Sequence, residues 1–182
     1  LIGIDPEYWL QHARNIVKNG HPGDELRNGV PYDTHMFAPV GRLVPQDMLH
    51  SYMIAYAYKF LRIFNSDISL LTVTFFMPVF LCALAVIPAF FIGRKLSGNF
   101  AGFVAATIIA IHPSFLTRTV GGFADTDPFA VFFPLLITWF AIEALDAAST
   151  RSAIILSVLA GLSTGIFSFG WTGWWYIFDF LL

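Results

Sequence analysis

The residues best suited to chemistry gather in one short stretch of this 182-residue chain, Arg118-Thr119-Val120-Gly121-Gly122-Phe123-Ala124-Asp125-Thr126-Asp127-Pro128. Two carboxylates one residue apart in a loop can turn toward a single hard cation, and oxygen ligands select Mg²⁺, Mn²⁺ or Ca²⁺ over softer metals. The glycine pair permits a close backbone approach or a positive φ. A purely structural reading also fits: Asp125 and Asp127 then serve only the start of a helix at Pro128, with Asp127 as N-cap.

The surroundings make these acids costly. The chain is 57% hydrophobic and 17% aromatic but only 12% charged, about half the charge of an ordinary soluble domain. Four stretches lack charge altogether: Ile68–Gly93, Leu96–Thr117, Pro128–Ile142 and Ser152–Phe178. A spanning helix needs about 20 apolar residues, so the first two and Pro128–Leu145 read as membrane spans. The fourth is broken by Gly170-Trp171-Thr172-Gly173 into a segment near Ala153–Phe169 and another from Trp174. The loop with Asp125 and Asp127 therefore opens at the mouth of a span, where ionisable groups usually face protein or water and serve a function.

Residues 1–67 form a different regime, with six bases against seven acids. Asp5 and Pro6 suit the N-cap and first position of a helix over Tyr8–Val17, ended by Gly20-His21-Pro22-Gly23. Asp24–Pro45, rich in Gly and Pro, reads as an ordered loop. Gln46–Phe64 repeats apolar residues at Leu49, Met53, Tyr56 and Phe60, the pattern of a helix lying on a membrane surface. Short loops rich in Lys and Arg face the cytoplasm, so Arg94-Lys95 and the loop near Arg151 fall inside, while residues 1–67 and the 117–127 loop fall outside.

Other chemistries find little support. The net charge of −2 supplies no nucleic-acid-binding surface, and Cys82, within an apolar run, has no partner for a disulfide. The five histidines show no metal-ligand spacing: His21, His35 and His50 are scattered, and His112 precedes a proline near a span end. No phosphate-cradling glycine loop or Ser-His-Asp arrangement occurs. The chain begins at Leu1 and stops at Phe180-Leu181-Leu182 within what reads as a hydrophobic helix, so both ends look cut.

The string Arg-Thr-x-x-Gly-x-x-Asp-Thr-Asp between two spans, with Asp5-Pro6-x-Tyr8-Trp9 opening an outer segment upstream, resembles the catalytic subunit of oligosaccharyltransferase. The closest type is the single-subunit archaeal or bacterial enzyme of asparagine-linked glycosylation. Trp171-Thr172-Gly173-Trp174-Trp175-Tyr176 resembles an aromatic-glycine turn at the corresponding point of that family. The resemblance implies an all-α polytopic membrane bundle of the GT-C-like kind. Its long first external loop would cover 1–67 and its transmembrane helices 68–182, with the second external loop at about 117–127.

It further implies transfer of an oligosaccharide from a polyprenyl or dolichyl phosphate or diphosphate to asparagine of Asn-x-Ser/Thr, on the non-cytoplasmic face of the cell membrane. Asp5 would contact both a divalent cation, Mn²⁺ or Mg²⁺, and the acceptor amide. Asp125 and Asp127 would ligate the same metal, and Arg118 would meet the donor phosphate. A snorkelling interfacial arginine is the alternative for Arg118. Two departures stand out. Ile4-Asp5 has no acid two residues before Asp5, and the family's later catalytic Glu and Trp-Trp-Asp-Tyr-Gly motif are not in this sequence, so these residues alone are expected to be inactive. A protein mannosyltransferase-like enzyme is a different reading, as is a secondary transporter with Asp125 and Asp127 as ion ligands, although transporter sites lie nearer the midplane.

Overall fold

The computed structural model describes residues 1–181, mostly as α-helices. The chain divides into two compact units: Leu1–Met77 with Gly121–Asp125, and Pro78–Val120 with the residues from Thr126 onward.

In the first unit, α1 covers Asp5–Asn19 and α2 covers Leu49–Phe64. Pro6 sits in the first turn of α1, where its missing N–H costs no helical bond, and left-handed Gly20 closes the helix. The N-cap is Ile4, with no side-chain cap bond, so Asp5 is inside the helix rather than its cap, contrary to the sequence expectation. The two helices pack through Trp9, Ala13 and Ile16 on α1 against Ser51, Ile54 and Ala55 on α2, all buried. The Ser51 hydroxyl donates to the Trp9 carbonyl at 3.0 Å.

α2 packs through a face other than its apolar stripe. Small and polar residues allow closer helix approach than bulky aromatics, so His50, Ser51, Ile54 and Ala55 are buried. Tyr56 and Phe60 of the expected stripe are each 60% exposed.

Asp24–Pro45 is likewise more than a loop. It contains a three-stranded antiparallel sheet of β1 (Glu25–Arg27), β2 (Val30–Asp33) and β3 (Arg42–Leu43), in the order β1-β2-β3. Arg27 pairs with Val30 across a two-residue turn in which Asn28 and Gly29 both have positive φ. Asn-Gly is the preferred sequence for that hairpin turn.

The second unit takes up the helix α3, Leu70–Ile111, from Pro78 onward. This run is interrupted at Ser97 (φ −153°) and Gly98 (φ +79°), so the reversal falls just after the charged pair Arg94-Lys95 rather than on it. Its two arms approach closely. A Cβ on Gly93 would stand 2.6 Å from the Ala101 carbonyl oxygen, and one on Gly102 would stand 2.8 Å from that of Phe90. Small residues at such crossings are how membrane helices pack backbone to backbone.

Extended His112 separates α3 from α4 (Pro113–Thr119), splitting the expected Leu96–Thr117 span. Beyond it lie α5 (Phe129–Leu145) and α6 (Thr150–Ser168). The Ser149 side chain caps α6 by accepting from the Ser152 amide at 3.1 Å. Phe133 of α5 stacks on Phe167 of α6, with centroids 5.3 Å apart. At the Arg94-Lys95 end, Lys95 Nζ pairs with Glu143 at 3.2 Å and Asp146 at 3.3 Å.

Leu70–Ile111 and Thr150–Ser168 are long and apolar enough to cross a membrane, while Phe129–Leu145 is a shorter apolar helix. Trp174–Ile177 is a 3₁₀ turn that leads into α7, Phe178–Leu181. Leu182, where the hydrophobic helix expected at the end of the chain would continue, lies outside the described residues.

Candidate active site

Of the four residues singled out by sequence, Asp5 and Asp125 belong to the first unit and Arg118 and Asp127 to the second; the boundary passes between Asp125 and Thr126. Asp5 is exposed in the first turn of α1 and makes no hydrogen bond or ion pair with a described side chain.

Four residues further along α1, and therefore on the same helical face, Trp9 is buried and donates its indole N–H to Asp125 Oδ1 at 3.2 Å. This bond spans 116 positions of sequence. It ties the glycine-aspartate loop to Trp9, a residue one helical turn after Asp5.

The same loop is pinned through its backbone. Gly122, with φ +90°, accepts from the Ile2 amide at 2.8 Å and donates to the Phe75 carbonyl at 2.9 Å. A Cβ on neighbouring Gly121 would meet the Phe75 ring at 2.5 Å. The glycine pair thus provides both features expected of it, a positive φ and a close approach. His50 of α2 lies edge-on to Trp9, with centroids 5.6 Å apart. Burial pushes its pKa down to about 4, and the charge of Asp125 acts in the opposite direction.

In the second unit, Arg118 stands in the last turn of α4, and its Nη1 lies 3.5 Å from Asp127 Oδ2. Their side chains are 61% and 40% exposed. Helix α5 begins at Phe129 with Pro128 as its N-cap, so Asp127 precedes the cap position rather than occupying it. Its carbonyl accepts from the Ala130 amide at 3.1 Å.

Among the described residues, the three metal-capable side chains whose ligand atoms converge within 4.8 Å are Asp24, Asp33 and His35, none of them singled out by sequence. Asp33 is 2% exposed and His12, facing it from α1, is fully buried. That burial holds the imidazole of His12 below its ordinary pKa. Trp9 and His50 were also missed, because nothing in their spacing relates them to Asp125. The Asn28-Gly29 dipeptide could have revealed the hairpin that brings Asp24 opposite Asp33.

A family model described as oligosaccharyl transferase STT3, N-terminal, matches residues 1–182. The chain is 34% identical over 184 residues to a dolichyl-phosphooligosaccharide-protein glycotransferase of Methanococcus voltae, covering 97% of this chain and 20% of that protein. It is 31% identical to the protein of the same name from Methanocaldococcus jannaschii, covering 89% and 19%. In fold it is similar to the archaeal oligosaccharyltransferase AglB from Archaeoglobus fulgidus in complex with an inhibitory peptide and a dolichol-phosphate. There the TM-score is 0.76 at 24% identity, covering 96% of this chain and 20% of that one. The chain therefore spans about one fifth of the length of these relatives.

Proposed function

The chain belongs to the oligosaccharyl transferase STT3 family, and from that premise we propose that it forms part of a polytopic membrane enzyme that moves a lipid-linked oligosaccharide onto asparagine of Asn-x-Ser/Thr. Its relatives are named as glycotransferases acting with dolichyl-linked oligosaccharides on protein, and one similar structure holds a peptide and a dolichol-phosphate. The observation that carries the reading is the Trp9–Asp125 bond. It joins the helix bearing Asp5 to the loop bearing Asp125 within one unit.

Under this reading residues 1–67 and the 117–127 loop face the non-cytoplasmic side, and the Arg94-Lys95 end faces the cytoplasm. The exposed Tyr56 and Phe60 of α2 then rest against the headgroup region.

Asp5 and Asp125, both in the first unit, are residues that would hold a divalent cation. Their donors are carboxylate oxygens alone, a set that suits Mg²⁺ or Mn²⁺. When bound, the metal offsets negative charge on the departing phosphate oxygens. An amide nitrogen is a poor nucleophile because its lone pair is delocalised into the carbonyl. Asp5 accepts an amide N–H of the acceptor asparagine, which weakens the amide resonance and prepares the nitrogen for attack. Arg118 donates to the phosphate of the donor, a planar guanidinium being suited to two-point contact with such oxygens.

The test is transfer of a lipid-linked oligosaccharide to a labelled Asn-x-Thr peptide by the full-length protein with Mn²⁺. Product is expected from the wild type, and Asp125→Ala should reduce it by orders of magnitude. Undiminished transfer by Asp125→Ala at limiting metal would refute the assignment.

A further inference from the structure

The first unit holds a cation whose charge the chain itself leaves unanswered. We propose that Arg42 of β3, set in place by Tyr8 of α1, binds the phosphate of the lipid-linked donor on the face of α1 that carries Asp5. The proposal rests on the transferase reading above and adds to it a donor contact in the first unit.

A guanidinium offers five N–H groups and accepts none, and an arginine withdrawn from water ordinarily meets an acid. Arg42 is half-buried, yet it forms no ion pair with a carboxylate among the described residues. Its Nη2 donates to the Tyr8 hydroxyl at 3.2 Å, while its Nε is buried with no hydrogen-bond partner. Asp33, its partner across the sheet, is engaged elsewhere. One oxygen of that carboxylate lies 3.4 Å from His12 Nε2, and the other accepts the amides of His35 at 2.9 Å and Met36 at 3.3 Å. The charge of Arg42 is thus left for an anion from outside the unit.

The guanidinium is held before such an anion arrives. Gly41 has φ +78°, and a Cβ there would stand 2.8 Å from the Asp33 carbonyl oxygen, so glycine is what lets β3 return alongside β2. The return is fastened by the Tyr32 hydroxyl, which donates to the Val40 carbonyl at 2.9 Å, and by the Val44 amide, which donates to the Pro31 carbonyl at 3.0 Å. The Tyr8 hydroxyl donates to Met48 Sδ at 3.8 Å, which turns its oxygen toward Arg42. Donors ordered in advance lose less freedom when a ligand binds.

The neighbourhood selects the anion. Tyr8 follows Asp5 by three residues in α1, so the two share a helical face. Asp5 is assigned above to the acceptor amide, whose nitrogen attacks the sugar carbon that bears the phosphate. The phosphate therefore departs past this face. Asparagine, serine and threonine of the acceptor carry no charge, which leaves the donor phosphate as the anion that the reaction supplies. The planar fork of arginine matches two phosphate oxygens at once.

The experiment uses the full-length protein in detergent with Mn²⁺, a lipid-linked oligosaccharide and an Asn-x-Thr peptide, and separately measures binding of dolichyl phosphate without peptide. Arg42→Gln is expected to raise the KM for the donor about 10- to 100-fold, as loss of a charge-assisted contact does, and to leave the KM for the peptide unchanged. Its affinity for dolichyl phosphate should weaken by a similar factor. Arg42→Lys should fall between wild type and Arg42→Gln, Tyr8→Phe should raise the donor KM by less, and Arg27→Gln, on exposed β1, should change neither constant. If Arg42→Gln fails to fold, Arg42→Lys decides by the same two measurements. Donor KM and dolichyl phosphate affinity both unchanged would overturn the proposal and leave Arg42 as a clasp between β3 and α1. A rise confined to the peptide KM would overturn it too, since Arg42 would then serve the acceptor. A wild type that binds dolichyl phosphate but transfers nothing would refute the transferase reading instead, with the binding measurement still deciding Arg42.

Discussion

The indole of Trp9 donates to Asp125 Oδ1 at 3.2 Å, so the second acidic loop is tied to α1 by a residue one turn after Asp5. A hydrogen bond to a charged group contributes about 1.5–3 kcal/mol. Trp9→Phe keeps most of the packing and removes the donor. Transfer by the full-length enzyme is expected to fall about 10- to 100-fold in kcat, with the KM for the acceptor peptide little changed and the melting temperature lowered by a few degrees. A KM effect alone would show that Trp9 serves the acceptor rather than Asp125.

Gly122→Ala should be costly for its size. The backbone there is at φ +90°, and a Cβ would come within 3.0 Å of the Phe75 ring. Holding a non-glycine residue in a sparsely populated region costs about 1–3 kcal/mol. The expected outcome is loss of that stability together with loss of transfer, measured by chemical denaturation and by activity. Ala124→Gly, two residues further on, serves as the control for a general loop effect.

His50 makes stability pH-dependent in a defined direction. Its pKa is about 4 in the fold against about 6.5 unfolded, so the unfolded chain takes up a proton that the folded chain refuses. The contribution is fully present above pH 6.5 and diminishes as the pH falls, by about 3 kcal/mol at pH 4. Melting curves from pH 7.5 to 4.5 in the presence of chelator should show this slope in the wild type and a shallower one in His50→Gln. Equal slopes would remove His50 as the source.

Arg118 and Asp127 form an exposed pair, and such pairs contribute little to stability. Arg118→Ala is therefore expected to leave the melting temperature within a degree or two of the wild type. The KM for the lipid-linked donor should rise by tenfold or more, and Arg118→Lys should restore only part of it. An unchanged donor KM would return Arg118 to the role of an interfacial anchor.

The proposed topology predicts opposite accessibility for Ile4, which is 86% exposed, and Ala148 in the loop before α6. With Cys82 replaced by Ser, Ile4→Cys should react with an impermeant thiol reagent in intact cells and Ala148→Cys only after the membrane is opened. Reaction of both in intact cells would contradict the alternation of sides.

Sequence patterns located the helices better than their contacts. Pro6 and Gly20 mark the ends of α1 because each acts locally on the backbone, and the charge-free runs follow from the cost of placing charge in a membrane. The reversal within α3 was displaced because Arg94-Lys95 reports where charge can reach water, whereas the backbone turns at Ser97 and Gly98. On α2 the spacing marked the apolar stripe that includes Tyr56 and Phe60, but not the face that packs on α1, where the Ser51 hydroxyl donates to the Trp9 carbonyl. The acidic loop was legible from Asp125 and Asp127, but its attachment to Trp9, 116 positions away, depends on a tertiary contact that no spacing encodes. Asp24, Asp33, His35 and His12 escaped for the same reason, since a strand pairing brings the first two opposite one another.

The close approach of Gly93 and Gly102 also bears on biosynthesis. The arm of α3 beyond Gly98 runs only to Ile111, about 20 Å of helix at 1.5 Å per residue, against an apolar layer of about 30 Å. It cannot cross as an independent segment. The first arm offers it a partner at backbone distance, so a nascent chain would commit both arms to the bilayer as a single hairpin. A bulky residue at either glycine would then be felt during insertion, before the rest of the protein had been synthesised.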